Sequence, residues 1–165
     1  MKTSSRRAVL LRAAILATMP LLLVACVAPG GSGGGTGSGS ELARSLVGRT
    51  FLSTATTGRD LVPGSCVRIS FTEDAIAANA GCNSMGSAYT VRDGLIAATG
   101  LMMTEMACEP ALMEQDTWLA ALIGGARATL EGDTLTLAGT AGAAKDTTVT
   151  LLDRRVADPD RPLEG

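Results

Sequence analysis

Two short motifs, Gly81-Cys82-Asn83 and Thr104-Glu105-Met106-Ala107-Cys108, bracket the stretch that most constrains this fold. Between them lies Asp93-Gly94, a pair in which both residues tolerate positive φ and which therefore signals a tight hairpin. A chain that doubles back here, with a thiol at each end of the interval, is committed to short antiparallel strands. Ala88 to Val91 and Leu95 to Met103 are the expected arms.

The flanking segments follow the same pattern. Val67-Arg68-Ile69-Ser70-Phe71 alternates strictly, which predicts a half-buried strand with Val67, Ile69 and Phe71 inward. Leu46 to Leu52 reads as a first strand approached by a short turn, and Thr56 to Ser65 as a loop. Ile76 to Cys82 reads as a closely packed strand, with Gly81 marking a bulge or a tight backbone approach. At Pro110 the period changes. Leu112, Trp118, Leu119, Leu122 and Ile123 recur at helical spacing until Gly124-Gly125 stops the helix. Ala126 to Leu130 and Thr134 to Ala138 flank Glu131-Gly132-Asp133 as a second hairpin, and Thr147 to Leu152 is the last strand. The fold expected is mainly β, a small antiparallel barrel of about eight short strands with one packed α-helix, because closure hides the edges of such strands. A mixed α+β sandwich is the alternative.

The first 25 residues read as an export signal. Lys2, Arg6, Arg7 and Arg12 precede an apolar run from Ala13 to Val24, and small residues follow. The run is shorter than the roughly 20 residues a membrane span needs, and Pro20 interrupts it. Leu23-Val24-Ala25-Cys26 resembles the bacterial lipobox, which implies cleavage before Cys26 and acylation of that residue. Ser5-Arg6-Arg7-Ala8-Val9-Leu10 resembles a twin-arginine signal in part, so the export route stays open. Residues 26–40 are expected to form a lipidated Gly/Ser-rich tether with a random-coil reach on the order of 15–20 Å. The domain is expected over residues 41–155, and a disordered tail over 156–165.

Composition narrows the chemistry. The chain has no histidine, which removes imidazole-based catalysis and the commonest metal ligand. Without the signal, 10 basic residues face 16 acidic ones, a poor balance for binding nucleic acid. Asp74, Glu105, Glu109, Glu114 and Asp116 read as a solvated acidic surface rather than a catalytic set, and no enzyme activity or cofactor is expected. Met85, Met102, Met103, Met106, Met113 and Cys108 could offer soft ligands for Cu(I). Against this, methionine serves as adaptable packing in an aromatic-poor core, and Met102 and Met103 point to opposite faces of a strand.

An exported chain meets an oxidising compartment, so cysteines pair. Setting Cys26 aside leaves Cys66, Cys82 and Cys108. Cys82 with Cys108 is the favoured pair, because each ends a segment at a strand boundary and the hairpin returns the chain. Cys66 would then be a small buried residue. Cys66 with Cys82 is the alternative that spacing leaves open.

Gly81-Cys82-Asn83, Gly86-Ser87-Ala88-Tyr89 and Thr104-Glu105-Met106-Ala107-Cys108, with Met113-Glu114 and the helix ending at Leu122, resemble the META domain of heat-shock-associated, HslJ-like bacterial lipoproteins. The resemblance covers roughly Glu41 to Asp153. Phe51 stands where the family usually has Trp, Met85 where an aromatic is common, and Cys66 lies outside the shared pattern. The resemblance implies a barrel-like fold on the outer side of a membrane, an association with stress or antibiotic tolerance, and no defined catalysis. The motif residues Gly81, Cys82, Asn83, Gly86, Thr104, Met106 and Cys108 are then structural. Asn83 would bond its own backbone in a turn, and Thr104 and Glu105 would satisfy backbone groups at the barrel end. The expected partners are the membrane, through the lipid on Cys26, and an envelope protein or a small apolar ligand held by a monomer. The scarcity of aromatics favours a filled interior over a ligand-holding one.

Overall fold

The computed structural model describes residues 37–159. The expected signal segment, Cys26, residues 27–36 of the expected tether and residues 160–165 of the expected tail lie outside the described residues. Eight strands follow one another around a closed, wholly antiparallel barrel. They are β1 (Thr50–Thr57), β2 (Arg68–Phe71), β3 (Ala75–Asn79), β4 (Ser84–Arg92), β5 (Leu95–Met103), β6 (Ala126–Glu131), β7 (Thr134–Gly139) and β8 (Thr148–Asp153). The helices are α1 (Gly37–Leu46), α2 (Pro110–Gly124) and the short α3 (Arg154–Ala157). The mainly β barrel expected from the strand pattern is the fold observed. Among the described residues no helix is long and apolar enough to cross a membrane.

Alternation builds the interior. Phe51, Ile69, Ala78 and Met85 stand in one cross-strand row, and all four are buried. Inward residues of the other strands, Ile96, Ala128, Leu135, Leu137, Val149 and Leu151, join the same core, so the interior is filled by side chains. Phe71 meets Phe51 and Tyr89 edge-on, with centroids 6.1 and 5.5 Å apart. Helix α2 lies across the end where β3 finishes and supplies Trp118, Leu119, Leu122 and Ile123 to the core. The Trp118 indole N–H donates to Thr147 Oγ1 at 3.1 Å, so the ring is buried with its polar atom satisfied.

The opposite end is closed by α1, where a tether and a short turn were expected. Leu42 and Leu46 lie one helical turn apart and both pack on the core. Gly39 faces the barrel: a methyl group there would meet the Val91 carbonyl at 3.0 Å and the Asp93 amide at 3.2 Å. The glycine that reads as linker composition is the residue that lets the helix approach the β4–β5 hairpin. The first strand accordingly starts at Thr50, after Gly48 at φ 75° donates its N–H to the Phe71 carbonyl.

The barrel seam between β1 and β8 carries a charged clamp. Arg49 reaches Asp153 at 2.6 Å, Asp133 at 2.7 Å and the Gly132 carbonyl at 3.1 Å, with its guanidinium 4.8 Å from the Phe51 ring centre. Asp153 also accepts the Arg155 N–H at 2.9 Å and so starts α3. Val156, expected in a disordered tail, is an exposed residue of that helix. Burial by itself would raise the Asp153 pKa. The Arg155 N–H and the Arg49 and Arg155 guanidiniums outweigh it and hold the carboxyl below its ordinary value. A depressed folded-state pKa contributes stability that is complete above the unfolded value near about 3.9 and is lost as the pH falls below it. Asp153→Asn should therefore flatten the decline of the urea midpoint between about pH 5 and pH 3. An unchanged slope would show that the clamp plays no part in acid sensitivity.

Candidate functional site

The chain leaves β3 through a turn made by Asn79, whose Oδ1 accepts the Gly81 N–H at 2.9 Å. Gly81 sits at φ 118°, and a methyl group there would meet Leu112 and Ser65 carbons at 3.1 Å each. Cys82 follows and is bridged to Cys108 across a Cα separation of 6.2 Å. Cys66 is free and exposed, which rules out the alternative pairing with Cys82 and corrects the expectation of a buried thiol. The reason is alternation: Val67, immediately before β2, is fully buried, which turns its neighbour Cys66 outward.

Asn83 is the node of the site and is almost fully buried. Its Oδ1 accepts Thr104 Oγ1–H at 2.9 Å and the Met106 N–H at 2.8 Å. Its Nδ2 donates to Asp116 Oδ2 at 2.9 Å and, more weakly, to the Met106 carbonyl at 3.5 Å. Its backbone N–H reaches the same Asp116 oxygen at 3.0 Å, and its carbonyl accepts Asn79 Nδ2 at 2.9 Å. The carboxamide thus pairs with both backbone groups of Met106, as a neighbouring strand would. The turn bond expected of Asn83 is made by Asn79 instead. Thr104 meets its expectation: its hydroxyl accepts the Ser84 N–H at 3.1 Å, and its own N–H donates to the Ser84 carbonyl at 3.1 Å. Glu105 is exposed rather than turned toward the backbone.

Two α2 residues complete the site, and the sequence reading missed both. Asp116 is buried at 1% exposure, not part of a solvated acidic surface. Its Oδ2 takes both Asn83 bonds and its Oδ1 has no hydrogen-bond partner among the described residues. Gln115 is fully buried and ties three elements together. Its Oε1 accepts the Val62 N–H at 2.7 Å, and its Nε2 donates to Ser65 Oγ at 2.8 Å and to the Ala80 carbonyl. The signal for Asp116 was its spacing, four residues after Leu112 and three before Leu119, which puts it on the apolar face.

The proposed soft-metal set is not assembled. Cys108 has spent its thiol in the bridge. Met85 and Met103 pair on the inner face of β4–β5 and Met102 stands on the outer face beside Gly86. Met102, Met103, Met106 and Met113 are all exposed, whereas Met85 is core. Gly86 pairs with Ala77 on one side and Met102 on the other, at the edge of a bulge that places Gly100 at φ 72°. A side chain at Gly86 would stand in open space.

The family model of the META domain matches residues 44–154. The chain belongs to the META domain family. No curated protein matches it. It is similar to a protein solved by NMR, with 27% sequence identity and a TM-score of 0.56 over 72% of this chain and 97% of the other. A second NMR structure, of a protein from Burkholderia xenovorans, shares the fold alone, with 19% identity and a TM-score of 0.53 over 68% of this chain and 86% of that one. In this META domain the motif residues converge on one structural task. Gly81 shapes the turn, Cys82 and Cys108 bridge it to the segment after β5, and Asn83 holds Thr104 and Met106 in place. Gly86 stands apart, on the outer surface.

The two glycines should respond differently to the same change. Gly81→Ala forces a side chain into a left-handed conformation and should cost about 1–3 kcal/mol. Gly86→Ala should be neutral, or stabilising by up to about 1 kcal/mol, because glycine weakens a strand interior. Urea midpoints of the two variants decide this; equal losses would contradict the geometry.

Proposed function

We propose that this META-domain chain is a non-catalytic binding module of the bacterial cell envelope, held on the outer side of a membrane by a lipid on Cys26. The observation that carries the reading is the Cys82–Cys108 disulfide. Such bridges form and persist in oxidising compartments, and the Leu23-Val24-Ala25-Cys26 sequence supplies a route there and an anchor on arrival. Gly37, where α1 starts, lies eleven positions along the chain from Cys26, at most about 40 Å even if fully extended. The head would therefore work close to the bilayer.

The polar groups of the site support a structural use rather than chemistry. Asp116, the one buried carboxylate beside the motif, is engaged by Asn83 twice. The remaining carboxylates of the region, Glu105, Glu109 and Glu114, are exposed. A role in stress or antibiotic tolerance, with the chain acting as a monomer, is the physiological setting this reading adopts. A small apolar ligand inside the barrel finds no support, because core side chains occupy the inward positions.

Cys26→Ser tests the anchor. The variant should leave the membrane fraction and appear in the soluble envelope fraction, with the wild type retained. Equal membrane retention of both would end the lipoprotein reading.

A further inference from the structure

The most elaborate bonding in the molecule holds an exposed segment. Asn83 fixes both backbone groups of Met106, Thr104 is bonded on two sides, and Cys108 is bridged, yet Thr104 to Ala107 are all exposed. Among the described residues, six large hydrophobic side chains are exposed, and four of them are Met102, Met103, Met106 and Met113. Core packing does not require these four. Methionine is the side chain that adapts best to an apolar partner, and a segment already fixed in place loses little conformational freedom on binding.

Shape and charge define the partner. Ser70, Ala77, Gly86 and Met102 form one outward cross-strand row. Three are small, and Ser70 and Ala77 floor a shallow trough on β2–β4, while Met102, at 76% exposure, stands on β5 at the end of the row, one strand beyond that trough. The trough has a volume of about 380 Å³ and is lined by Ser70, Ala77 and Ser84, with Arg68 at its β2 side. From Asp93 to Ala126 the chain has no Lys or Arg, while exposed Glu105, Glu109 and Glu114 alternate with the methionines. Arg68 is three strands from β5, roughly 14 Å at the usual strand spacing. An apolar surface set with carboxylates complements apolar side chains accompanied by basic ones, and repels an anionic bilayer.

We infer that the methionine shoulder from Met102 to Met113 docks a polypeptide segment in which apolar side chains alternate with lysine or arginine. The inference rests on the binding-module reading above and gives that module a class of partner. Apolar side chains of the segment lie against Met102 and Met106 and reach across Gly86 to the trough beside it. Its basic groups meet Glu105, Glu109 and Glu114.

The test uses the full-length protein and a fluorescent synthetic peptide of alternating leucine and lysine, read by anisotropy, with the leucine–glutamate peptide as its counterpart. The expected result is saturable binding of the basic peptide that weakens with salt, and none of the acidic one. M102S/M106S should weaken binding by about tenfold or more, and E105Q/E109Q/E114Q should remove most of the salt dependence. Gly86→Gln puts a polar side chain into open space beside the trough and should weaken binding without lowering the urea midpoint. Val47→Ser, which alters an exposed residue beyond the end of α1, should leave binding unchanged. Failure to bind, binding that the methionine variants leave intact, or self-association of the protein that the peptide does not displace would each overturn the proposal. The anchor is read by fractionation, so Cys26→Ser protein that leaves the membrane but binds no peptide defeats the docking inference and not the anchor.

Discussion

The carboxamide of Asn83, bonded to the backbone of Met106 on one side and to buried Asp116 on the other, holds together the part of the barrel that sheet hydrogen bonding holds least. Strands β6 and β7 pair over six residues, whereas β5 and β6 pair over two, Leu95 with Arg127 and Ile96 with Ala126. Beyond Ile96 the two strands diverge, and the chain passes from one to the other through an irregular segment and α2. Asn83 carries the β4–β5 pairing past Met103 to Met106 and bonds it to α2, the helix through which the chain reaches β6. It joins the β3–β4 turn, the segment after β5 and the helix, and its bonds to Asp116 are buried, where unpaired polar groups are costly. The disulfide closes the same circuit covalently. On the chain-entropy model a loop of 26 residues contributes roughly 3–4 kcal/mol.

The rest of the barrel follows from packing at its two ends. Helix α2 seals one end with Trp118, Leu119, Leu122 and Ile123, and Gln115 fastens it to the loop before β2 and to the end of β3. Helix α1 seals the other with Leu42 and Leu46, and Gly39 permits its close approach. Arg49 clips the β1–β8 seam at that same end. With both ends covered and the interior filled, what remains for recognition is the outer surface. There, small residues and exposed methionines lie side by side.

Local chemistry made much of this fold legible. Asp93-Gly94 does form the hairpin turn, with Asp93 at φ 50° and Gly94 at φ 75°. β5 spans Leu95–Met103 and α2 spans Pro110–Gly124, as the hairpin turn and the Pro–Gly punctuation indicated. The Gly81 to Cys108 stretch holds the site that its motifs suggested. What escaped the sequence depended on contacts between distant residues. The start of α1 was hidden because Gly39 is chosen by the backbone of Val91 to Asp93, far along the chain. Asp116 looked like surface charge because its partner, Asn83, is on another element and lowers the cost of burial only in the folded state. Cys66 was placed inside by residue type, although its neighbour Val67, just before β2, takes the inward position.

The central claim is that Asn83 replaces a missing strand for the Met106 segment. Amide hydrogen exchange at Met106 tests this most directly. The N–H belongs to an exposed residue outside any strand, so its neighbours give it no reason to be slow. The account predicts strong protection in the wild-type protein and its loss in Asn83→Ala, with core amides such as that of Leu137 still protected. Rapid exchange at Met106 in the wild type would contradict the account, because the loop would then not be held by the node.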